Sequence, residues 1–349
     1  MRKDWEYKKW ADVLTIINGK NQKAVESIDG TYPIYGSGGI MGYANDWLCP
    51  ENCTIIGRKG NINKPIFVES KFWNVDTAFG LNSNQNLLAS KYLYYFCLNY
   101  DFNRHNKAVT IPSLTKVDLL KIEMPLPPKP TQLAIVAELD KINELIQLKK
   151  QQLKDYDQLA QSIFYEMFGD PVENEKGWEV KKLGEISKNY DSQRKPITAS
   201  DREAGIIPYY GASGIVDYVK DYIFNDNYLL ISEDGANLVA RTTPIAFPIS
   251  GKTWVNNHAH ILKFTSIATQ LYVQALINII NIEKYITGAV QPKLTKAKLN
   301  SIPVPLPPLP LQQQFAARIE AIERQKQQVS ETIKDLETLL ASRMQYWFD

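Results

Sequence analysis

One sequence unit is written twice in this chain, and that duplication limits the possible folds more than any other feature, because each copy must form the same structure. Trp5–Val13 (WEYKKWADV) returns 173 residues later as Trp178–Ile186 (WEVKKLGEI). Tyr32–Tyr43 (YPIYGSGGIMGY) returns 175 residues later as Ile207–Tyr218 (IPYYGASGIVDY), with Gly36, Gly39 and Tyr43 repeated as Gly211, Gly214 and Tyr218. Val109–Pro128 (VTIPSLTKVDLLKIEMPLPP) returns 180 residues later as Ala289–Pro308 (AVQPKLTKAKLNSIPVPLPP). Each copy closes on an aromatic segment, Phe164–Phe168 and Gln345–Phe348. With 349 residues, each unit is long enough to bury a core of its own.

Each copy has two parts of different composition. The first part, residues 1–128 and 170–308, is rich in Gly, Asn, Tyr and β-branched residues, in short runs such as NCTIIGRKG, KPIFVES, YLLISEDG and PIAFPIS. Such runs predict strands of four to seven residues between tight turns. One helical stretch sits late in each, over Leu87–Asn99 and Ile267–Ile280. The second part, residues 129–169 and 309–349, follows the proline clusters PLPPKP (Pro125–Pro130) and PLPPLP (Pro305–Pro310), which read as stiff extended entries into a helix.

Apolar residues then recur at alternating spacings of four and three. In the first copy they run Ile135, Leu139, Ile142, Ile146, then Leu153, Tyr156, Ala160, Ile163 and Met167, with Lys149 in the same series. In the second copy Phe315, Ile319, Ile322, Val329, Ile333, Leu336, Leu340 and Trp347 do the same, with Lys326 and Arg343 in register. That period of 3.5 is the coiled-coil seam. At 1.5 Å per residue each helix is about 55 Å long. A small domain cannot cover so long a stripe, whereas the other copy's helix can. The domain between them lets the two run antiparallel. The expected fold class is α+β: two tandem domains of mixed short strands and helices, joined by a long antiparallel two-helix coiled coil.

Charge and cysteine content narrow the function. With 40 Lys+Arg against 38 Asp+Glu the net charge is only +2, which excludes a polybasic nucleic-acid binder. Residues 1–128 hold 15 Lys+Arg and 12 Asp+Glu, and residues 170–308 hold 15 and 14, so any DNA contact must come from local patches. Three cysteines (Cys49, Cys53, Cys97) read as reduced thiols. MRKDWEYKKW carries no apolar core for a signal peptide, and no run of about 18 apolar residues offers a membrane span. A cytoplasmic protein is expected.

Catalytic motifs fail on inspection. Gly251–Thr253 (GKT) ends like a phosphate loop, but Ala246 stands where the first glycine belongs and Pro248 interrupts it. Gly36–Gly39 (GSGG) lacks the third glycine and following helix of a dinucleotide fingerprint, and tight hairpins account for both motifs. His258 and His260 share one face of a strand, yet no third ligand stands at metal-binding spacing in the sequence. The chain is expected to bind no metal or cofactor and to have no catalytic site.

The segments Phe168–Ile186 (FGDPVENEKGWEVKKLGEI), Ile111–Ile142 (IPSLTKVDLLKIEMPLPPKPTQLAIVAELDKI) and Gln291–Ile322 (QPKLTKAKLNSIPVPLPPLPLQQQFAARIEAI), with the repeated IYGSGGI and YYGASGI turns, carry a resemblance that covers essentially the whole chain. It resembles the DNA specificity subunit of type I restriction–modification systems. The resemblance implies two target-recognition domains, each reading one half of a split, asymmetric sequence on double-stranded DNA, with the helix pair spacing the halves and docking two modification subunits. It also implies that S-adenosylmethionine, ATP and Mg belong to partners, the methyltransferase subunits and the restriction/translocase subunits. The alternative is a repeat-containing interaction scaffold that binds protein without DNA specificity.

Positions shared by both copies should serve the scaffold and the phosphate backbone, and positions that differ should carry base choice. At one such turn Gly57-Arg58-Lys59-Gly60 matches Ser232-Glu233-Asp234-Gly235. The Arg of this turn can fork onto guanine, whereas Glu233 or Asp234 can accept from the amine of cytosine, so the turn could discriminate in opposite senses. Arg104, Lys107 and Ser113 around one repeated turn, and Lys293 and Lys296 around its copy, are candidates for phosphate contact. Tyr35, Ser37, Tyr210 and Ser213 beside the glycine turns are candidates for base-edge or phosphate hydrogen bonds, with Arg241 and His258 added.

Overall fold

The computed structural model describes residues 5–106, 110–288 and 290–349. The chain divides into two units, Met1–Gln151 with Ser330–Asp349, and Gln152–Val329. Each contains one copy of the strand-rich domain and part of both long helices.

In unit 1, the strands Leu14–Asn18, Ala78–Ser83, Cys53–Gly57 and Ile66–Val68 form an antiparallel sheet in that order. A hairpin, Tyr32–Gly36 with Gly39–Ala44, extends through a parallel pairing with Trp73–Asn74. Helix α1 (Ser90–Asn99) lays Tyr92, Leu93 and Phe96 onto the core beside Trp10, Phe79 and Leu81. Unit 2 repeats the scheme. Its sheet runs Lys188–Asn189, Ala259–Lys263, Tyr228–Ser232, Ala246–Ile249, and its hairpin is Ala204–Gly211 with Gly214–Val219. The two hairpins turn through glycines at φ +125° (Gly39) and +124° (Gly214), which side-chain-bearing residues rarely adopt. GKT differs from the expected hairpin: Gly251 (φ +67°) turns the chain between Ala246–Ile249 and Lys252–Val255, which belong to different sheets, the first paired with Tyr228–Ser232 and the second with Ala204–Gly211 and Phe224–Asn225.

The long helices are α2 (Lys129–Phe168) and, after α3 (Ile267–Ile279) in unit 2, α4 (Leu309–Phe348). The proline clusters form the expected extended entries, and the extended part is itself a paired strand. Pro125 and Pro305 lie in the strands Glu123–Leu126 and Pro303–Leu306, each paired with one neighbour, Glu6–Lys9 or Glu179–Lys182. A two-stranded ribbon leaves one side of each strand unpaired, so proline is tolerated. Pro130 and Pro310 sit in the first helical turn, where the missing N–H costs nothing.

Two buried glutamines fasten these helix starts. The Gln132 amide donates to Leu87 O and Pro127 O and accepts from Ala89 N (2.9, 2.9 and 2.8 Å). Gln312 repeats this, donating to Pro307 O and accepting from the Thr269 hydroxyl, both at 2.7 Å. Near the helix ends the repeat holds again. The Tyr92 hydroxyl donates to Pro125 O with its ring 5.1 Å from Phe348, and the Tyr272 hydroxyl donates to Pro305 O with its ring 4.8 Å from Phe168.

Within each unit the parts of the two long helices run antiparallel. In unit 1, Glu138 meets Arg343 and Lys150 meets Glu337. In unit 2, Asp157 meets Lys326 and Glu166 meets Arg318. Ile142, Ile146 and Ile333 are buried along the seam in unit 1, as are Ile322 and Val329 in unit 2. The expected antiparallel pairing with a seam of period 3.5 is thus present in both.

Candidate nucleic-acid interface

Three turns converge in each unit, built on the same backbone hydrogen bonds. In unit 1, Gly60 N donates to Pro112 O (3.0 Å) and Leu114 N to Arg58 O (2.9 Å). In unit 2, Gly235 N donates to Pro292 O (3.1 Å) and Leu294 N to Glu233 O (2.7 Å). The preceding amide is also matched: Arg58 N donates to Thr77 O, and Glu233 N to His258 O. The glycine hairpin joins them. A side chain added at Gly60 would come within 4.0 Å of the Ser37 hydroxyl, and the Ser232 hydroxyl donates to Ala212 O. A rim of equivalent backbone with different side chains therefore exists twice.

In unit 1 the rim presents cations. Arg58 and Lys59 are exposed, and the Arg58 guanidinium lies 5.7 Å over the Phe79 ring, which steadies the charge, with Nη1 donating to Asp76 O at 3.5 Å. Ser37 is half-buried in the hairpin turn. Ser113 bridges the backbone of Lys59, and its amide is taken by Asn106 Oδ1 at 3.0 Å. The remaining candidates are placed elsewhere. Arg104 stacks over Tyr100 at 5.9 Å and faces a hollow of about 780 Å³ shared with Tyr7, Asp101, Glu123 and Gln345. Tyr35 packs edge-on against Phe72 at 5.5 Å and lines a second hollow with Tyr94 and Asp140. Burial raises its phenol above the usual range. Lys107 lies outside the described residues.

In unit 2 the rim is different. Glu233 does not face outward as expected. It is buried, one oxygen paired with Arg194 at 2.5 Å and the other with Lys293 at 3.1 Å. His260, on the strand beneath, places Nδ1 2.6 Å from Asp191 Oδ2 and Nε2 2.7 Å from Leu294 O. Both partners, a carboxylate and a carbonyl oxygen, are acceptors. Burial alone would raise the Asp191 carboxyl. The hydrogen bond and charge of His260, with bonds from Asn189 and the Ile261 amide, outweigh it and hold the group at about 2. Glu233 is likewise held below the usual carboxylate range, because Arg194, His260 and Lys293 outweigh its burial.

Sequence spacing gave no third partner for His260, yet folding brings Asp191 and Glu233 to it, with ligand-type atoms within 4.8 Å of one another. The donor set does not suit a metal ion. Both ring nitrogens of His260 are engaged, and Arg194 and Lys293 already supply the positive charge. Arg194 also donates to Ala259 O (2.8 Å) and Asp191 O (3.0 Å), which ties the segment 191–194 to the rim.

Other unit 2 candidates fall into two groups. Ser213 and Lys296 are exposed, on the hairpin turn and in the first turn of the helix Lys296–Asn300. His258 is 48% exposed, with Nδ1 2.9 Å from both oxygens of Asp234. Tyr210 is half-buried near Phe247. Arg241 is corrected: its guanidinium donates to Ile277 O (3.1 Å) and Ile280 O (3.0 Å), capping the last turn of α3. Asp191 and Arg194 escaped the sequence reading because nothing in KNYDSQRKP marks them as partners of a turn some 40 residues away.

Two copies of one α+β unit, with the same rim frame and divergent charges on it, define a duplicated recognition protein. The profile of the type I restriction modification DNA specificity domain matches residues 2–155 and 175–338, and the chain belongs to that family. It is 35% identical over 144 residues to a Haemophilus influenzae protein named as a type I restriction enzyme specificity subunit, covering 41% of this chain and 37% of that one. It is 26% identical over 319 residues to the EcoprrI specificity subunit of Escherichia coli, covering 81% and 74%. The chain spans less than two thirds of the length of the H. influenzae relative and of the Methanocaldococcus jannaschii MjaIX specificity subunit, at 37% and 62%. In fold it is similar to the crystal structure of the S subunit from M. genitalium, with TM-score 0.60 at 16% identity over 100% of this chain and 98% of that one. Among the described residues no helix is long and apolar enough to cross a membrane.

Proposed function

We propose that the chain is the sequence-reading subunit of a type I restriction–modification complex, each unit reading one half of a bipartite, asymmetric target on double-stranded DNA. The observation that carries this reading is the duplicated rim: one backbone frame that carries exposed Arg58 and Lys59 in one unit and, in the other, an exposed His258 held by the mostly covered Asp234. A common frame suits a common DNA backbone, and divergent side chains suit divergent bases. A protein-binding scaffold would not need charged groups that change sign at matching places.

Catalysis is assigned to partners. Two modification subunits would supply methyl transfer with S-adenosylmethionine, and restriction subunits ATP-driven translocation and cleavage with Mg. The paired long helices would set the spacing of the two half-sites and dock the modification subunits, and the complex would work in the cytoplasm. The chain's near-neutral charge fits a subunit that draws part of its DNA affinity from those partners. The test is to co-express the chain with its methyltransferase partner and map methylated adenines. Exchanging one unit should change one half of the motif and leave the other; methylation indifferent to the exchange would refute the reading.

A further inference from the structure

The two rims differ in which side chain they turn outward. In unit 1 it is Arg58. In unit 2 Glu233 stands in Arg58's place and His260 in Phe79's, and both are buried in the cluster with Asp191, Arg194 and Lys293. The next residue of the turn, Asp234, holds His258 through its carboxylate, and His258 is the outward group. His258 occupies the place of Thr77, its carbonyl accepting from Glu233 N (2.9 Å) as Thr77 O accepts from Arg58 N (2.8 Å). Asp234 is mostly covered (15% exposed) and His258 is not (48%). Because a carboxylate only accepts, Nδ1 carries the proton shared with Asp234, which fixes the ring's tautomer and orientation. Nε2 makes no hydrogen bond among the described residues.

We propose that His258, oriented by Asp234, is the base-reading side chain of unit 2, in the role that the Arg58 guanidinium is placed to serve in unit 1. This rests on the DNA-reading function above. The chemistry of the two readers is opposite. Arg58 offers only donors, suited to guanine O6 and N7. His258 in its neutral form offers Nε2 as an acceptor, suited to the exocyclic amine of adenine or cytosine in the major groove.

The test uses the full chain assembled with its methyltransferase partner, challenged with a randomised plasmid library and read by sequencing the methylated sites. A wild-type motif that is not bipartite would refute the DNA-reading function itself. Given a bipartite motif, His258→Ala should relax one base position of one half by about 10- to 100-fold. Asp234→Ala should do the same more weakly. Should His258→Ala not assemble, His258→Gln keeps a polar group at similar reach and should shift that position towards adenine. An unchanged motif with His258→Ala or His258→Gln, or a uniform loss at every position, would overturn the inference while leaving the function standing.

Discussion

The guanidinium of Arg343 forks onto the carboxylate of Glu138, with Nη2 3.2 Å from Oε2 and Nε on Oε1, while the Trp347 indole donates to the same Oε2 at 3.2 Å. Arg343 and Trp347 hold positions of the helix seam, so in unit 1 this contact locks the last turns of α4 against the first turns of α2. The hydrogen bond from Arg343 is the main reason that the Glu138 carboxyl lies below its usual range. Replacing Arg343 by Ala should lower the calorimetric unfolding temperature, and Arg343→Lys should restore little, because an ammonium cannot fork. A group whose carboxyl is lowered on folding contributes stability above its unfolded value and loses it as pH falls. Glu138→Gln should therefore weaken the chain at neutral pH and not in acid.

Gln132 and Gln312 are buried at equivalent places, 0% and 3% exposed, each with its amide spent on the segment before its own helix and on the start of the preceding one. Gln132→Ala would leave Ala89 N, Leu87 O and Pro127 O without their partner. At 1–3 kcal/mol per unsatisfied buried group, a loss of about 3 kcal/mol is expected in chemical unfolding. Gln132→Glu should be no better, since a carboxylate cannot donate to the two carbonyls.

Repetition made the fold legible in the sequence. A helix seam of period 3.5 and glycine hairpins at matched places are local signals, and both appear where the pattern puts them. Long-range partnership left no such signal. Arg241 looked like an exposed cation and is instead the cap of α3, reached across 36 residues to Ile277. Glu233 looked like an outward charge because its turn is short and polar, and only folding brings Arg194 over it from 39 residues away. The frame of the site was readable from the repeat, while the assignment of each charge to the surface or to the buried cluster depended on contacts that spacing does not encode.

Asp191 gives the cluster a pH signature. Its carboxyl is held at about 2 against an ordinary 3.8. The stability it contributes is complete above the ordinary value and is lost as pH falls from about 4 to about 2. A shift of this size corresponds to roughly 2 kcal/mol. Urea unfolding followed from pH 5 to pH 2 should show unit 2 losing that amount, and Asp191→Asn should flatten this part of the curve while lowering stability at pH 7. A wild-type curve with no loss over this range would show that the His260 contact does not persist in solution.

Arg58 makes a separate prediction for unit 1. Arg58→Ala should relax one guanine position in the unit 1 half-site by about 10- to 100-fold, the value of a bidentate contact. Arg58→Lys should keep affinity through its charge but lose much of the base discrimination, because an ammonium meets O6 and N7 as a point charge. Lys59→Ala, by contrast, should weaken binding evenly across sequences and reduce its salt dependence, as expected of a phosphate contact. Methylation mapping of the three variants, with binding measured at two salt concentrations, separates these outcomes.

The helix pair makes the last prediction. Removing seven residues from each helix, 147–153 around Lys150 and 334–340 around its partner Glu337, preserves the seam because seven is its repeat. It shortens each helix by about 10 Å, close to the rise of three base pairs at 3.4 Å each. If the helices set the separation of the half-sites, the methylated motif should keep both half-site sequences and change its spacer by about three base pairs, or methylation should cease while the protein stays folded by circular dichroism. A shortened protein that still methylates with the original spacer would show that spacing is set elsewhere in the complex. Removing four residues instead would break the seam register, and should cost stability before it alters the motif.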